Sequence, residues 1–138
     1  MTQLNAYLIF DGNCADAMRF YQKTLGGKLD IITQAESPMA DQTPPGSENR
    51  IMHARLSLDG GVLMASDAQV GPRYEGMGGF SLSLTVDTAA EARKLFSALS
   101  AGGKVTWPID KSFWAEAFGI MEDKFGVTWM VNGAPNQQ

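Results

Sequence analysis

The sequence predicts an α+β fold of two tandem βαβββ modules whose strands form a curved mixed sheet around a cleft, and three observations predict it. Strand-like and helix-like segments run twice in the same order, a Gly-Gly pair closes each helix, and the two halves match at fixed offsets. Asp11 matches Asp87 and Gly27-Lys28 matches Gly103-Lys104, both 76 residues on, while Gly60, Leu63 and Met64 match Gly126, Trp129 and Met130 at 66. Self-similarity at fixed spacing marks a duplicated unit. The shorter second offset puts the longer middle loop in the first copy.

Each element has a local reason. Residues 4–10 (LNAYLIF) have strand character, and Asn13 is placed to cap a helix from residue 14 to about 25. Ala17, Phe20, Tyr21 and Thr24 recur in it at helical spacing, so one side should pack across a sheet. Residues 28–33 read as the second strand, and residues 34–50 as a polar, Pro-rich loop, too poor in apolar residues for core. Residues 51–58 and 62–66 form a hairpin about Asp59-Gly60-Gly61. The pattern restarts with a strand at 80–86, a helix opened by the capping box Thr88-Ala89-Ala90-Glu91 and carrying Ala92, Leu95, Phe96 and Leu99, a strand at 104–108, and a hairpin over 119–132. A chain of 138 residues suits one domain, 1–138, with a first module at about 1–67, a linker at about 68–79 and a second module at about 80–133.

Composition narrows the function. A net charge of −4 with only 11 Lys and Arg offers no basic stripe for phosphates, which argues against nucleic acid and anionic membranes. No apolar run approaches a bilayer's thickness, and the N-terminus lacks the charged and apolar regions of a secretory signal, so a cytoplasmic location is expected. A lone cysteine, Cys14, excludes an internal disulfide framework and a Cys-rich zinc cluster.

A βαβββ unit covers one sheet face with its helix and leaves the other open, and two units side by side make the open faces a small-molecule cleft. Strand alternation then names its lining. Ser81, Ser83 and Thr85 should face the cleft, with Leu82, Leu84 and Val86 behind; His53, Arg55 and Ser57 should face it, with Met52, Ala54, Leu56 and Leu58 towards the helix. Repeat symmetry and parity add Asn5, Tyr7, Val62, Met64, Thr128 and Met130.

Five stretches resemble the PhnB-like branch of the glyoxalase/bleomycin resistance/dioxygenase (vicinal oxygen chelate) superfamily: residues 7–17 (YLIFDGNCADA), Phe20-Tyr21 with Leu25-Gly26-Gly27, Met52-His53-Ala54, Leu63-Met64-Ala65-Ser66-Asp67, and Phe113-Trp114 followed by residues 123–132 (DKFGVTWMVN). The resemblance covers nearly the whole chain and implies the glyoxalase/bleomycin resistance fold and a homodimer. Superfamily metalloenzymes carry ligands at four symmetry-related points, which map here to Asn5, Met64, Ser81 and Met130. None is a His, Asp or Glu, so no metal and no cofactor is expected. The methyltransferase description often given to relatives finds no Gly-rich strand-to-helix loop suited to a methyl donor.

The candidates divide by chemistry. His53 is the sole histidine and the candidate acid/base, with Asp67 as its catalytic partner, although Asp67 also suits a turn cap. Arg55 would bind a carboxylate or phosphate, Tyr7 would donate a hydrogen bond, and Trp114 would wall the cleft; Ser81, Ser83, Met64, Met130 and Asn5 complete the substrate-binding set. Trp129 reads as core, Cys14 as a small buried residue, and Glu122-Asp123 as a charged turn. Three function classes stay open: a metal-independent lyase- or isomerase-like enzyme on a small molecule, a protein that sequesters a toxin or antibiotic as bleomycin-resistance relatives do, and a metalloenzyme with displaced ligands such as His53, Asp67 and Glu122.

Overall fold

The computed structural model describes residues 2–37, 46–68, 74 and 76–135. Residues 38–45 of the expected polar loop, and residues 69–73 and 75 of the expected linker, lie outside them. The chain divides into two compact units, Met1–Gly76 and Met77–Gln138. Among the described residues no helix is long and apolar enough to cross a membrane.

The first unit contains β1 (Ala6–Phe10), α1 (Cys14–Leu25), β2 (Lys28–Thr33), β3 (Ile51–Leu58) and β4 (Gly61–Asp67). Its sheet has the order β1-β4-β3-β2, with β1 parallel to β4 and the other pairs antiparallel. The second unit contains β5 (Leu82–Val86), α2 (Ala89–Ser100), β6 (Lys104–Asp110), β7 (Ala115–Glu122) and β8 (Thr128–Pro135), in the corresponding order β5-β8-β7-β6.

In each unit the helix covers one sheet face. The buried stripe of α1 is Cys14, Ala17, Met18 and Tyr21, which replaces the expected Phe20 and Thr24; that of α2 is Ala92, Phe96 and Leu99. Against α1 lie Leu8, Phe10, Ile51, Ala54, Leu56, Leu63 and Ala65, all buried. Where helix and sheet come closest the sequence supplies glycine. A Cβ on Gly119 would press on the Phe96 ring, and one on Gly133 on Ala92 and the Thr88 carbonyl.

Four further expectations change. The first strands begin at Ala6 and Leu82, so Asn5 and Ser81 precede their ladders. Ala6 already pairs with Leu63 and Leu82 with Trp129, each close to the start of its partner strand, which leaves little ladder beyond. The aromatic stretch between the expected strand at 104–108 and the expected hairpin at 119–132 is largely β7, whose Ala115, Ala117 and Gly119 lie beneath α2 while Phe118 and Ile120 point the other way. Met52 leaves the expected parity because the register slips there: Ile32 pairs with His53 and Thr33 with Ile51, so Ile51 takes the buried place.

The fourth change concerns the α1 cap. Asn13 makes no side-chain cap bond, and the Asp67 carboxylate takes over, accepting from Gly12 N–H at 2.8 Å and Cys14 N–H at 3.0 Å. In the second unit Thr88 caps α2 itself, accepting from Glu91 N–H at 3.1 Å, and the place matching Asp67 is Gly133.

Gly103 provides a test of the close approaches. Its Cβ would collide with the Glu122 carbonyl oxygen, whereas one on Gly61 meets nothing within 4 Å. Gly103→Ala is expected to lower unfolding free energy by about 2 kcal/mol or more and Gly61→Ala by less than about 0.5 kcal/mol, measured by urea denaturation.

Candidate functional site

The face of the first sheet turned away from α1 follows from the register. Tyr7 on β1 pairs with Met64 on β4, Met64 with Arg55 on β3, and Arg55 with Asp30 on β2. One step along, Ile9 pairs with Ser66 and Ile32 with His53. Side chains paired directly across a ladder share a face, so Tyr7, His53, Arg55 and Met64 stand together. The Tyr7 hydroxyl is hydrogen-bonded to His53 Nδ1 at 3.2 Å, and the rings lie 5.7 Å apart at an interplanar angle of 33°. Tyr7 keeps 44% of its surface exposed, so the pair is open to a ligand. Arg55 is exposed and, among the described residues, forms no ion pair; the guanidinium that does is Arg50, held by Asp11 at 2.8 Å.

Asp67 does not join this group. It lies on the helix-covered face and is buried, with both oxygens committed: one to Gly12 and Cys14 N–H, the other to Ile51 N–H at 2.8 Å. The expected His53–Asp67 couple is therefore corrected to a Tyr7–His53 couple. The same placement removes Asp67 from a metal set with His53, since the two side chains leave the sheet on opposite faces.

On the second sheet the corresponding face carries Ser83, Met130, Ile120 and Trp107 in one row and Thr85, Asn132 and Phe118 in the next. Trp114, just before β7, donates its indole N–H to Asn132 Oδ1 at 3.3 Å, and Asn132 donates to Ser83 Oγ at 3.3 Å. The Trp114 ring meets Phe118 and Phe113 edge-on, at 4.8 and 4.6 Å. Ser83, Met130 and Trp114 thus come together as expected, whereas Asn132, Phe118 and Trp107 were missed. Asn132 was readable, because it continues the parity of Thr128 and Met130. Trp107 was not, since an unpaired residue between Val105↔Met121 and Trp107↔Ile120 turns it onto this face.

The remaining candidates are structural. Trp129 is buried and donates to Asp123 Oδ2 at 2.9 Å, and Asp123 also accepts from Phe125 and Val127 N–H to shape the β7–β8 turn. Cys14 is fully buried, and burial, helped by the Asp67 carboxylate, pushes its thiol up from 9.0 to about 12.

Two four-stranded mixed sheets of this order, each backed by one helix, define the glyoxalase/bleomycin resistance/dioxygenase fold, and solved structures of that superfamily share it at identities that carry the fold alone. Within it, the chain belongs to the PhnB-like family whose model is described as 3-demethylubiquinone-9 3-methyltransferase and matches residues 2–132. It is 44% identical to protein PA1353 of Pseudomonas aeruginosa, whose crystal structure superposes with a TM-score of 0.91 over 99% of this chain and 100% of that one. It is 37% identical to protein YjdN of Escherichia coli K12 over 97% of each chain. A PhnB protein from Bacillus cereus is 27% identical, with a TM-score of 0.77 over 96% of this chain and 100% of the other.

The superfamily implies a divalent metal, and the four mapped positions do not fit one. An amide, a hydroxyl and two thioethers, from Asn5, Ser81, Met64 and Met130, lack the imidazole, carboxylate or thiolate donors that such ions require. Among the described residues no three His, Cys, Asp or Glu side chains are grouped to hold an ion.

Two outcomes follow from the buried groups. Asp67→Asn trades an anionic acceptor of three backbone N–H groups for an amide that leaves at least one unmet, and should cost about 3 kcal/mol in a chemical melt. Cys14 should resist thiol reagents until the chain is unfolded. Its raised pKa adds stability that is complete below about 9 and is lost as pH climbs towards about 12, so Cys14→Ala should flatten the alkaline arm of the stability profile.

Proposed function

We propose that the open face of the first sheet binds a small organic anion and acts on it without a metal, by proton-transfer chemistry of the lyase or isomerase kind. His53 is the proton-handling group, Arg55 anchors the anionic end, and Tyr7 shapes the site. The observation that carries this reading is the Tyr7–His53 hydrogen bond beside an arginine that has no carboxylate partner among the described residues. A guanidinium is suited to carboxylate and phosphate oxygens, which it grips in pairs. Met64, between Tyr7 and Arg55 in the ladder, supplies an adaptable apolar floor.

The methyl transfer in the family's description is not part of this proposal. The β1–α1 connection Asp11-Gly12-Asn13 is not a glycine-rich cradle, and the Cys14 N–H at the start of α1 already bonds to Asp67. A methyl donor's carboxylate would meet that buried carboxylate rather than free donors.

A second reading, sequestration of a toxin or antibiotic, is favoured by one feature, the Phe113–Trp114–Phe118 ring cluster on the second unit. It needs aromatic surface and no proton carrier. A homodimer, carried over from the superfamily resemblance, and a cytoplasmic location, expected from the sequence, belong to both readings.

The experiment is a thermal-shift screen of small carboxylic and phosphorylated metabolites, followed by turnover and affinity measurements on variants. His53→Asn should reduce turnover at least about 100-fold while altering affinity about threefold or less. Arg55→Gln should weaken binding about 10- to 100-fold. Undiminished turnover in His53→Asn would sink the enzymatic reading, and strong loss of affinity in Trp114→Ala alone would favour sequestration.

A further inference from the structure

We infer that Tyr7 holds neutral His53 in the tautomer protonated on Nε2, so that the resting site presents two donors and takes a small carboxylate carrying a second acceptor oxygen, such as a 2-oxo acid. The inference rests on the functional reading of this face given above and specifies its ligand.

The distance alone fixes no direction, but the chemistry of the two groups favours one. Tyr7 Oη lies 3.2 Å from Nδ1, and a phenol hydroxyl is a strong donor whose oxygen, conjugated into the ring, accepts poorly. The unprotonated imidazole nitrogen is the better acceptor, so the Tyr7 O–H donates to Nδ1 and the ring proton sits on Nε2. Which nitrogen a histidine offers to a ligand is set in this way by the bond its other nitrogen makes.

The other polar groups on the face complete the case. Strand β4 contributes Val62, Met64 and Ser66, none of them titratable, and β2 contributes Asp30, opposite Arg55, and Lys28, opposite Ser57. No carboxylate shares a ladder pair with His53, whose partner on β2 is Ile32, so no acidic group in that register draws the proton to Nδ1. Arg55 follows His53 by two residues on one strand, which spaces their Cα atoms by roughly 7 Å. Donors anchored that far apart suit two acceptor groups of one molecule, a carboxylate at Arg55 and a carbonyl oxygen at His53. In the bound complex the Nε2–H of His53 donates a hydrogen bond to that carbonyl and polarises it, and this is the proton that His53 handles in the reaction proposed above. Tyr7 is then a positioning residue acting through His53.

The chain has one histidine, so its ring nitrogens can be observed by nitrogen-15 NMR without assignment by mutation. In labelled protein above neutral pH, Nε2 should resonate as the protonated nitrogen and Nδ1 as the bare one, and Tyr7→Phe should move both towards the averaged shifts of a tautomer mixture. Titration with 2-oxobutanoate should then shift Nε2 saturably, an effect lost in Arg55→Gln and at least tenfold weaker for butanoate. A proton on Nδ1, or ring shifts unchanged by Tyr7→Phe, would overturn the inference while leaving a ligand site on this face intact. A proton on Nε2 with no response to 2-oxobutanoate would overturn the ligand class, and silence towards inorganic phosphate and butanoate as well would take the functional reading with it.

Discussion

The Asp67 carboxylate is the joint on which the first unit turns. Its two oxygens accept three backbone N–H groups from two places far apart in the chain, the β1–α1 connection and the first residue of β3. A buried charge is tolerable only when it is fully hydrogen-bonded, and here the bonds come from groups that would otherwise be orphans at a helix start and a strand start. The joint brings the N-terminus of α1 over the end of β4, and the α1 stripe of Cys14, Ala17, Met18 and Tyr21 follows onto the sheet. With that face sealed, strand alternation leaves His53, Arg55, Tyr7 and Met64 for the other one. The side chains of the open face thus owe their placement to a carboxylate that never touches them.

The same dependence explains the inertness of Cys14. A thiol at a helix N-terminus is ordinarily encouraged to ionise. Here the helix end has already been given an anion, Asp67, and burial disfavours a second, so the thiol stays protonated and serves as packing. Position on a helix therefore does not predict reactivity unless the partner of that helix end is known.

Much of the fold was legible because the physics behind it is local or periodic. Both Gly-Gly helix ends, both amphipathic helices and the hairpins were visible in residue spacing, and the alternation in β3 correctly separated His53 and Arg55 from Ala54 and Leu56. Thr88 was legible as a cap since its partner, Glu91 N–H, lies three residues away. The failures share a cause: they depend on which strand lies alongside and in what register. Met52 leaves its expected parity, and Trp107 reaches the face turned away from α2, at slips in the ladder, which a single strand's sequence does not record. Asp67 was credited to His53 on proximity along the hairpin, whereas its true partners are backbone N–H groups, which carry no residue signature. Tyr7 and His53 were each picked out, but the bond between them reaches from β1 to β3 over the intervening β4 and is a product of strand order.

The two units meet one requirement, a satisfied helix start, by solutions that exclude each other. In the first, an acid at the end of the last strand reaches the helix; in the second, the threonine just before the helix caps it and the matching place on the last strand is Gly133, so closely packed that any Cβ there would strike Ala92. Converting the second arrangement into the first requires at least two changes: an acid placed first at Gly133 strikes Ala92, and loss of Thr88 first leaves the start of α2 bare. If the halves descend from one duplicated unit, this pair of positions acts as a ratchet. Once the second copy had taken up the Thr88 and Gly133 arrangement, no single step led back to the first, and the two halves stay unlike, with the lone histidine in the first.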